Sequence, residues 1–431
     1  MPKIDLYQLG TGGVNLVKNP LQLADNEITQ GQNAELVPDE SKGGEGALSK
    51  RLGLAALTSA LGATIHGMGT LPLQTTYTRY LYVALQTADS DRWLTSTDGT
   101  TFTATSSPLL AASEAQFGSA VFAGGHRTAT FATTLYYPGN AYTAGSASPP
   151  LVSWDNTNAF TVGLIPNGPS STTYCEFISD MLVANGKVYF CVHDLAATTP
   201  NARGRVISFD PKTGQMSQIA EAFGASPYVT GGYPICLAFY NGQLWAGLDD
   251  RNSGVGKVVR CYPDVDETWT VDSSALNGPV YSLREFQGNL YAASFAGGSP
   301  LVEVRTASTG AWTTSYTMSA SGTEEHLKSL IEFNSELYAV EYEGTTPTIH
   351  IKKFDGATWT TDRDLDATDS AVAGNYPENF YVFNSALFLA VRSTTVGLAD
   401  GFLMKKASGT WSKIVPTENI SGYLGELIVR T

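Results

Sequence analysis

Residues 288–297 read GNLYAASFAG, and the phrase returns along the chain: GQLWAGLDD from Gly242, SELYAVEYEG from Ser335 and SALFLAVRS from Ser385. Each copy follows an Asn, Gly or Ser turn. Alignment gives seven copies, led by the apolar residues Leu81, Leu135, Val188, Leu244, Leu290, Leu337 and Leu387, which stand 46 to 56 residues apart. A second mark follows each copy after a small or polar turn: Phe102, Phe160, Met216, Trp269, Trp312, Trp359 and Trp411. Two independent marks with one period indicate repeats of roughly 50 residues, the size class of propeller blades.

Each unit reads as four strands. From Pro234 onward PICLAFY is one strand, an Asn-Gly turn follows, and QLWAGL, KVVRCY and TWTVDS are the next three. Asn-Gly and Asp-Gly supply the positive-φ residues that tight hairpins need. The second strand is apolar along its whole length, which predicts burial on both faces. It carries small residues beside bulky ones (Ala246, Gly247, Ala292, Ala293, Ala339, Ala390), as expected where neighbouring blades crowd towards an axis. The fourth strand alternates and suits an outer, half-wet edge. These features predict an all-β chain: a β-propeller over residues 53–431 with seven four-stranded blades, six or eight staying open, behind an extended N-terminal arm of residues 1–52. The terminal SGYLGELIVRT is apolar and is expected to pair with the first blade, since an unclosed ring exposes two strand edges.

Composition agrees. Of 431 residues 15% are charged, and Gly, Ser, Thr and Tyr abound, which favours a turn-rich β protein over helical bundles or disorder. The formal net charge of −14 opposes phosphate backbones, so sequence-specific nucleic-acid binding is not expected. Cys175, Cys191, Cys236 and Cys261 show neither CxxC nor zinc spacing and read as thiols packed in strands. No apolar run approaches a membrane span of about 18 residues, and the opening MPKIDLYQLGTGG lacks a signal pattern, so a soluble protein made in a cytoplasm is expected.

The arm mixes Gly, Asn and Pro with isolated apolar residues and has little core of its own. Its GGVNLVKNPLQLADNEITQGQNAEL, followed by GALSKRLGLAAL, resembles the opening of tail and virion structural proteins of tailed bacteriophages. The shared pattern falls on Gly13, Asn15, Asn19, Pro20, Leu21, Leu23, Asp25, Glu27, Asn33, Gly46, Ala47, Leu48, Lys50, Arg51 and Gly53, and Leu52 stands where the family usually has Pro. The match covers about an eighth of the chain, and a propeller body is compatible with the hub or nozzle proteins of short-tailed phages. The resemblance implies a structural component of the virion tail, joined to other tail proteins, forming a homo-oligomeric ring and presenting a site for tail fibres. Asn15, Asn19, Pro20, Leu21, Leu23, Asn33, Leu48, Lys50 and Arg51 are its expected partner-binding residues, because an arm of apolar pegs gains order on a neighbouring surface. An acidic lining of the channel would let DNA slide past without sticking.

The search for chemistry returns little. His66, His126, His193, His326 and His350 are scattered, without HExxH or paired metal spacing. His193 beside Asp194 reads as a polar strand end. Asp362, Asp364, Asp366 and Asp369 resemble calcium spacing, but Ala367 and Ala373 stand where an EF-hand has Gly and Glu, so a solvated acidic loop is expected. Asp264, Asp266 and Glu267 read as a hairpin turn. STDGTTF resembles a sialidase Asp-box turn one residue short, and Arg203, Arg205, Arg251 and Arg284 form no recognisable triad. There is no P-loop or GxSxG, and GTGG lacks the flanking strand and helix of a dinucleotide site. The expectation is therefore a protein that is not an enzyme and has no cofactor or metal. A glycan-binding propeller module is the first alternative, a glycosidase-type hydrolase the second and a bacterial scaffold the third.

Overall fold

The computed structural model describes residues 34–39, 45–50, 80–87, 91–104, 129–131, 134–138, 150–154, 159–166, 173–196, 203–223, 233–249, 256–263, 266–276, 278–296, 299–318, 325–343, 348–365, 375–393, 402–414 and 422–430. The chain divides into two units, Met1–Gly62 and Ala63–Thr431. In the first, Ala34–Asp39 pairs antiparallel with Glu45–Lys50, so the arm contains a hairpin that its irregular composition did not suggest.

The described strands of the second unit form seven four-stranded antiparallel sheets, the blades of a β-propeller. Blades 2 to 7 are continuous in sequence and span residues 129–164, 173–223, 233–276, 280–317, 325–365 and 375–414. Blade 1 is composite. Gly422–Arg430 supplies its first, innermost strand and pairs with Tyr80–Thr87, followed by Asp91–Ser96 and Thr103–Ala104. The innermost strands neighbour one another in order from blade 1 to blade 7 and back to blade 1, so the ring is closed. The apolar C-terminal segment takes the expected place, as the inner partner of the second strand of blade 1. The turn at Thr97–Thr100 adds a second closure. Asn384 of blade 7 donates to the Thr97 carbonyl at 3.1 Å, and Gly99 lies so close to Phe388 that a Cβ there would meet the ring at 2.7 Å.

Register explains why two sequence marks share one period. All seven leading residues lie on second strands. In blade 6 one cross-strand row reads Glu332, Leu337, Phe354, Trp359, and in blade 7 it reads Val382, Leu387, Lys406, Trp411. In these blades, as in blades 3 and 5, the two marks are thus the second and fourth members of one row. Residues Gln243–Asp249 are buried throughout, as a strand packed on both faces must be. A Cβ on Gly247 would meet Cys236 Sγ at 2.6 Å and Val280 of blade 5 at 2.7 Å, which is why the second strands need small residues. The turns between first and second strands hold two successive positive-φ residues, as at Asn185-Gly186, Asn241-Gly242 and Asn384-Ser385.

Two devices join the blades. The first is the tryptophan mark. Trp269 Nε1 donates to the Ile219 carbonyl at 3.1 Å, Trp312 to Asp272 at 3.0 Å, Trp359 to Ser315 at 3.1 Å and Trp411 to Asp362 at 2.6 Å. Every acceptor lies three residues beyond the previous blade's own mark. The indole fills the gap between outer strands while its N–H reaches a partner. The second device is nearer the axis. Innermost strands of blades 3 to 7 carry register shifts that release a backbone amide. The preceding blade captures it: Leu237 N donates to Asp180, Leu330 N to Ser282 and Phe380 N to Ser329, at 2.6, 3.0 and 3.0 Å.

Candidate functional site

A propeller offers its axis and its seams. On the innermost strands, the residues opposite the leading marks are Val183, Phe239, Glu285, Glu332 and Val382 in blades 3 to 7. They are partly or fully exposed. Beside them, partly buried Arg284 sits in the field of Glu332, Glu285 and Tyr381. Across blades 3 to 7 this row and its neighbour Arg284 are mixed, with two carboxylates, one guanidinium and three apolar side chains.

Between blades 3 and 4, Asp180 is 5% exposed and accepts from Met181 N at 2.9 Å and Leu237 N at 2.6 Å. Cys191 and Cys236 lie near it, and burial followed by the Asp180 charge pushes both thiols well above the ordinary range. These thiols are inert rather than nucleophilic. Cys191, Cys236 and Cys261 are buried thiols in no disulfide, as the sequence indicated, while the Cys175 side chain lies outside the described residues.

The seams carry the charge. Asp272 accepts from Arg305 Nε at 2.6 Å and Trp312, and Arg260 Nε lies 2.8 Å away. Both guanidiniums stack over Trp245, at 5.5 and 5.0 Å from its centroid. Asp362 repeats the motif with Lys406 Nζ at 2.6 Å and Trp411. A third cluster joins blades 5 and 6, where the fully buried Glu341 meets Tyr316, Lys352 and His350.

The structure redistributes the residues singled out in sequence. Asp362 and Asp364 belong to the outer strand Trp359–Leu365 rather than to a loop: Asp362 sits in a seam and Asp364 pairs with His350 at 2.6 Å. Asp366 and Asp369 lie outside the described residues. His193 is buried with its ring 3.8 Å from that of Tyr233. Arg205 is fully buried and donates to the Pro166 carbonyl at 2.8 Å. Asp98 caps its own turn, accepting from Thr100 N and Thr101 N at 2.7 Å, so the Asp-box likeness is a structural turn. Of the arm residues, Leu48 and Lys50 lie on Glu45–Lys50, paired with Leu36 and Ala34, and Asn15, Asn19, Pro20, Leu21, Leu23, Asn33 and Arg51 lie outside the described residues. Sequence reasoning missed Asp272, Asp180 and Glu341. Aligning the repeats column by column exposes Glu341, which stands four residues beyond Leu337, where Val192, Leu248 and Val391 stand in other blades. Among the described residues no three His, Cys, Asp or Glu side chains are close enough to hold a metal ion.

No protein-family model matches the chain, and no curated protein matches it by sequence. Solved structures do. A protein from Lactobacillus plantarum superposes with a TM-score of 0.52 at 16% identity, over 82% of this chain and 99% of that one. A 6-phosphogluconolactonase candidate from Bacteroides fragilis gives 0.54 at 13% identity, over 84% and 100%. A second such candidate, from Bacteroides uniformis, gives 0.52 at 12% identity, over 82% and 100%. At these identities the likeness establishes the β-propeller fold. It also corrects the expectation that this chain is not an enzyme. That expectation rested on missing linear motifs, yet the same propeller carries proteins assigned a lactonase activity. A ring of blades can assemble reacting groups from strands far apart in sequence, where no motif search finds them.

Proposed function

We propose that this chain is a component of the tail of a tailed-phage virion, with the propeller as a rigid body and the N-terminal unit as its attachment to other tail proteins or to further copies of itself. The observation that carries this reading is the N-terminal sequence pattern, which resembles virion tail proteins and falls within a unit separate from the propeller. Ring closure by the last strand supports it, because a body closed at both ends transmits force without exposing strand edges.

The test is composition. Particles are purified from the phage or induced prophage that encodes the chain, and their proteins are identified by mass spectrometry. The chain is expected at a fixed stoichiometry in tails, and in capsid-free tail fractions. Its absence from intact particles, with abundant free protein in the same lysate, overturns the proposal.

A further inference from the structure

Across blades 3 to 7, the second-strand position four residues beyond the leading mark reads Val192, Leu248, Ser294, Glu341 and Val391, and all five are buried at 0 to 1% exposure. A repeat that breaks its own apolar rule with a carboxyl group marks a strained or functional place. Glu341 belongs to one cross-strand row, Leu327, Glu341, His350, Asp364, which runs from the buried inner strand to an exposed outer one. His350 Nδ1 and Asp364 Oδ1 are 2.6 Å apart. Lys352 Nζ lies 3.4 Å from Glu341 Oε2 and donates to Thr361 at 2.7 Å. From blade 5 the Tyr316 hydroxyl hydrogen-bonds to the Glu341 carboxyl. Among the described residues Tyr316, Lys352, His350 and, behind it, Asp364 are the titratable groups facing Glu341, while Leu327 stands beside it on the inner strand. Glu341 Oε1 is buried without a hydrogen-bond partner.

We infer that the seam between blades 5 and 6 is a pH-responsive joint, closed while Glu341 carries its proton and loosened when Glu341 is a carboxylate. A neutral carboxyl fits a sealed site with one unmet oxygen. A carboxylate there sets a full buried charge against one ammonium 3.4 Å away and the Tyr316 hydroxyl, with its second oxygen unsolvated. Burial accordingly holds the group above the ordinary carboxylate value of 4.5, against the opposing pull of Tyr316, Lys352 and His350. Because the folded value is raised, the proton-linked stability is complete below the ordinary value and is lost as pH rises through the folded one. Between the two, opening the seam releases up to one proton, so its opening constant rises by up to about tenfold per pH unit. This inference does not depend on the proposed virion role.

Hydrogen exchange by mass spectrometry tests it on the full chain from acid to neutral pH, corrected for intrinsic exchange. Protection of residues 312–317 and 336–343 should fall with rising pH, while that of 243–249 in blade 4 stays level. In Glu341→Gln the fall should disappear. Lys352→Met, which keeps the carboxyl and removes its cation, raises only the folded value and should extend the fall to higher pH, and it serves if the Gln variant fails to fold. A seam whose protection is level with pH in the unmodified protein overturns the inference. So does an equal fall in Glu341→Gln, or a Lys352→Met profile identical to the parent's.

Discussion

Asp272→Ala is the perturbation that best probes what holds neighbouring blades together at their outer edges. The Asp272 side chain is 5% exposed, accepts from Arg305 and the Trp312 indole, and forms an ion pair with Arg260 at 2.8 Å. Removing one member of a buried ion pair usually costs about 3–5 kcal/mol, because the remaining charge is stranded. Here Arg260 and Arg305 keep 32% and 13% exposure, so the freed guanidiniums partly rehydrate. The expected loss is therefore about 2–3 kcal/mol for Asp272→Ala. Asp272→Asn keeps an acceptor for Trp312 and should lose about 1–2 kcal/mol, and Trp312→Phe about 1 kcal/mol. Urea unfolding followed by circular dichroism measures these as shifts in midpoint at unchanged slope. Moderate salt should leave the ranking intact, since the carboxylate is sheltered from screening. A loss below about 0.5 kcal/mol for Asp272→Ala, the range of an ordinary surface change, would refute the view that this seam is held by its buried carboxylate.

Two further outcomes are expected. Removal of residues 422–431 leaves Tyr80–Thr87 as an open edge, so the truncated chain should elute as aggregates and return to its normal size when a peptide of that sequence is added; unchanged elution and melting would contradict closure by this strand. Backbone amides of Thr101 and Thr100 hold the Asp98 carboxyl well below its ordinary value of 3.8; its stabilising effect is complete above that value and is lost as pH falls towards the folded one, so the melting-temperature gap between the parent and Asp98→Ala should narrow in acid, and a gap independent of pH would refute the turn's dependence on the carboxylate.

Much of the architecture was legible because it is periodic. Leu290 and Trp312 can be found without coordinates, since each lies at a position that every blade must fill in the same way. The sites were harder to see. Asp362 looked like one of a run of loop carboxylates, yet it faces Lys406 and Trp411 of the next blade, 44 and 49 residues away. Glu341 sat inside an apolar phrase and passed as part of it. The motif search is blind to enzymatic capacity for the same reason: it reads neighbours in sequence, and a propeller makes neighbours of residues one blade apart.

By itself the sequence determined the propeller fold, with seven blades favoured over six or eight, the four strands of each blade, the tight turns and the closing role of the last segment. Each follows from local chemistry repeated at a fixed spacing: apolar second strands, Asn-Gly and related turn pairs, and a leftover strand in need of a partner. Only the tertiary structure decided which polar side chains are buried and what they meet. Asp180 holds the amide of Leu237, Asp272 gathers two arginines and an indole, and Glu341 lies sealed between two blades, because those partners come from adjacent blades whose register and spacing are set by packing around the whole ring.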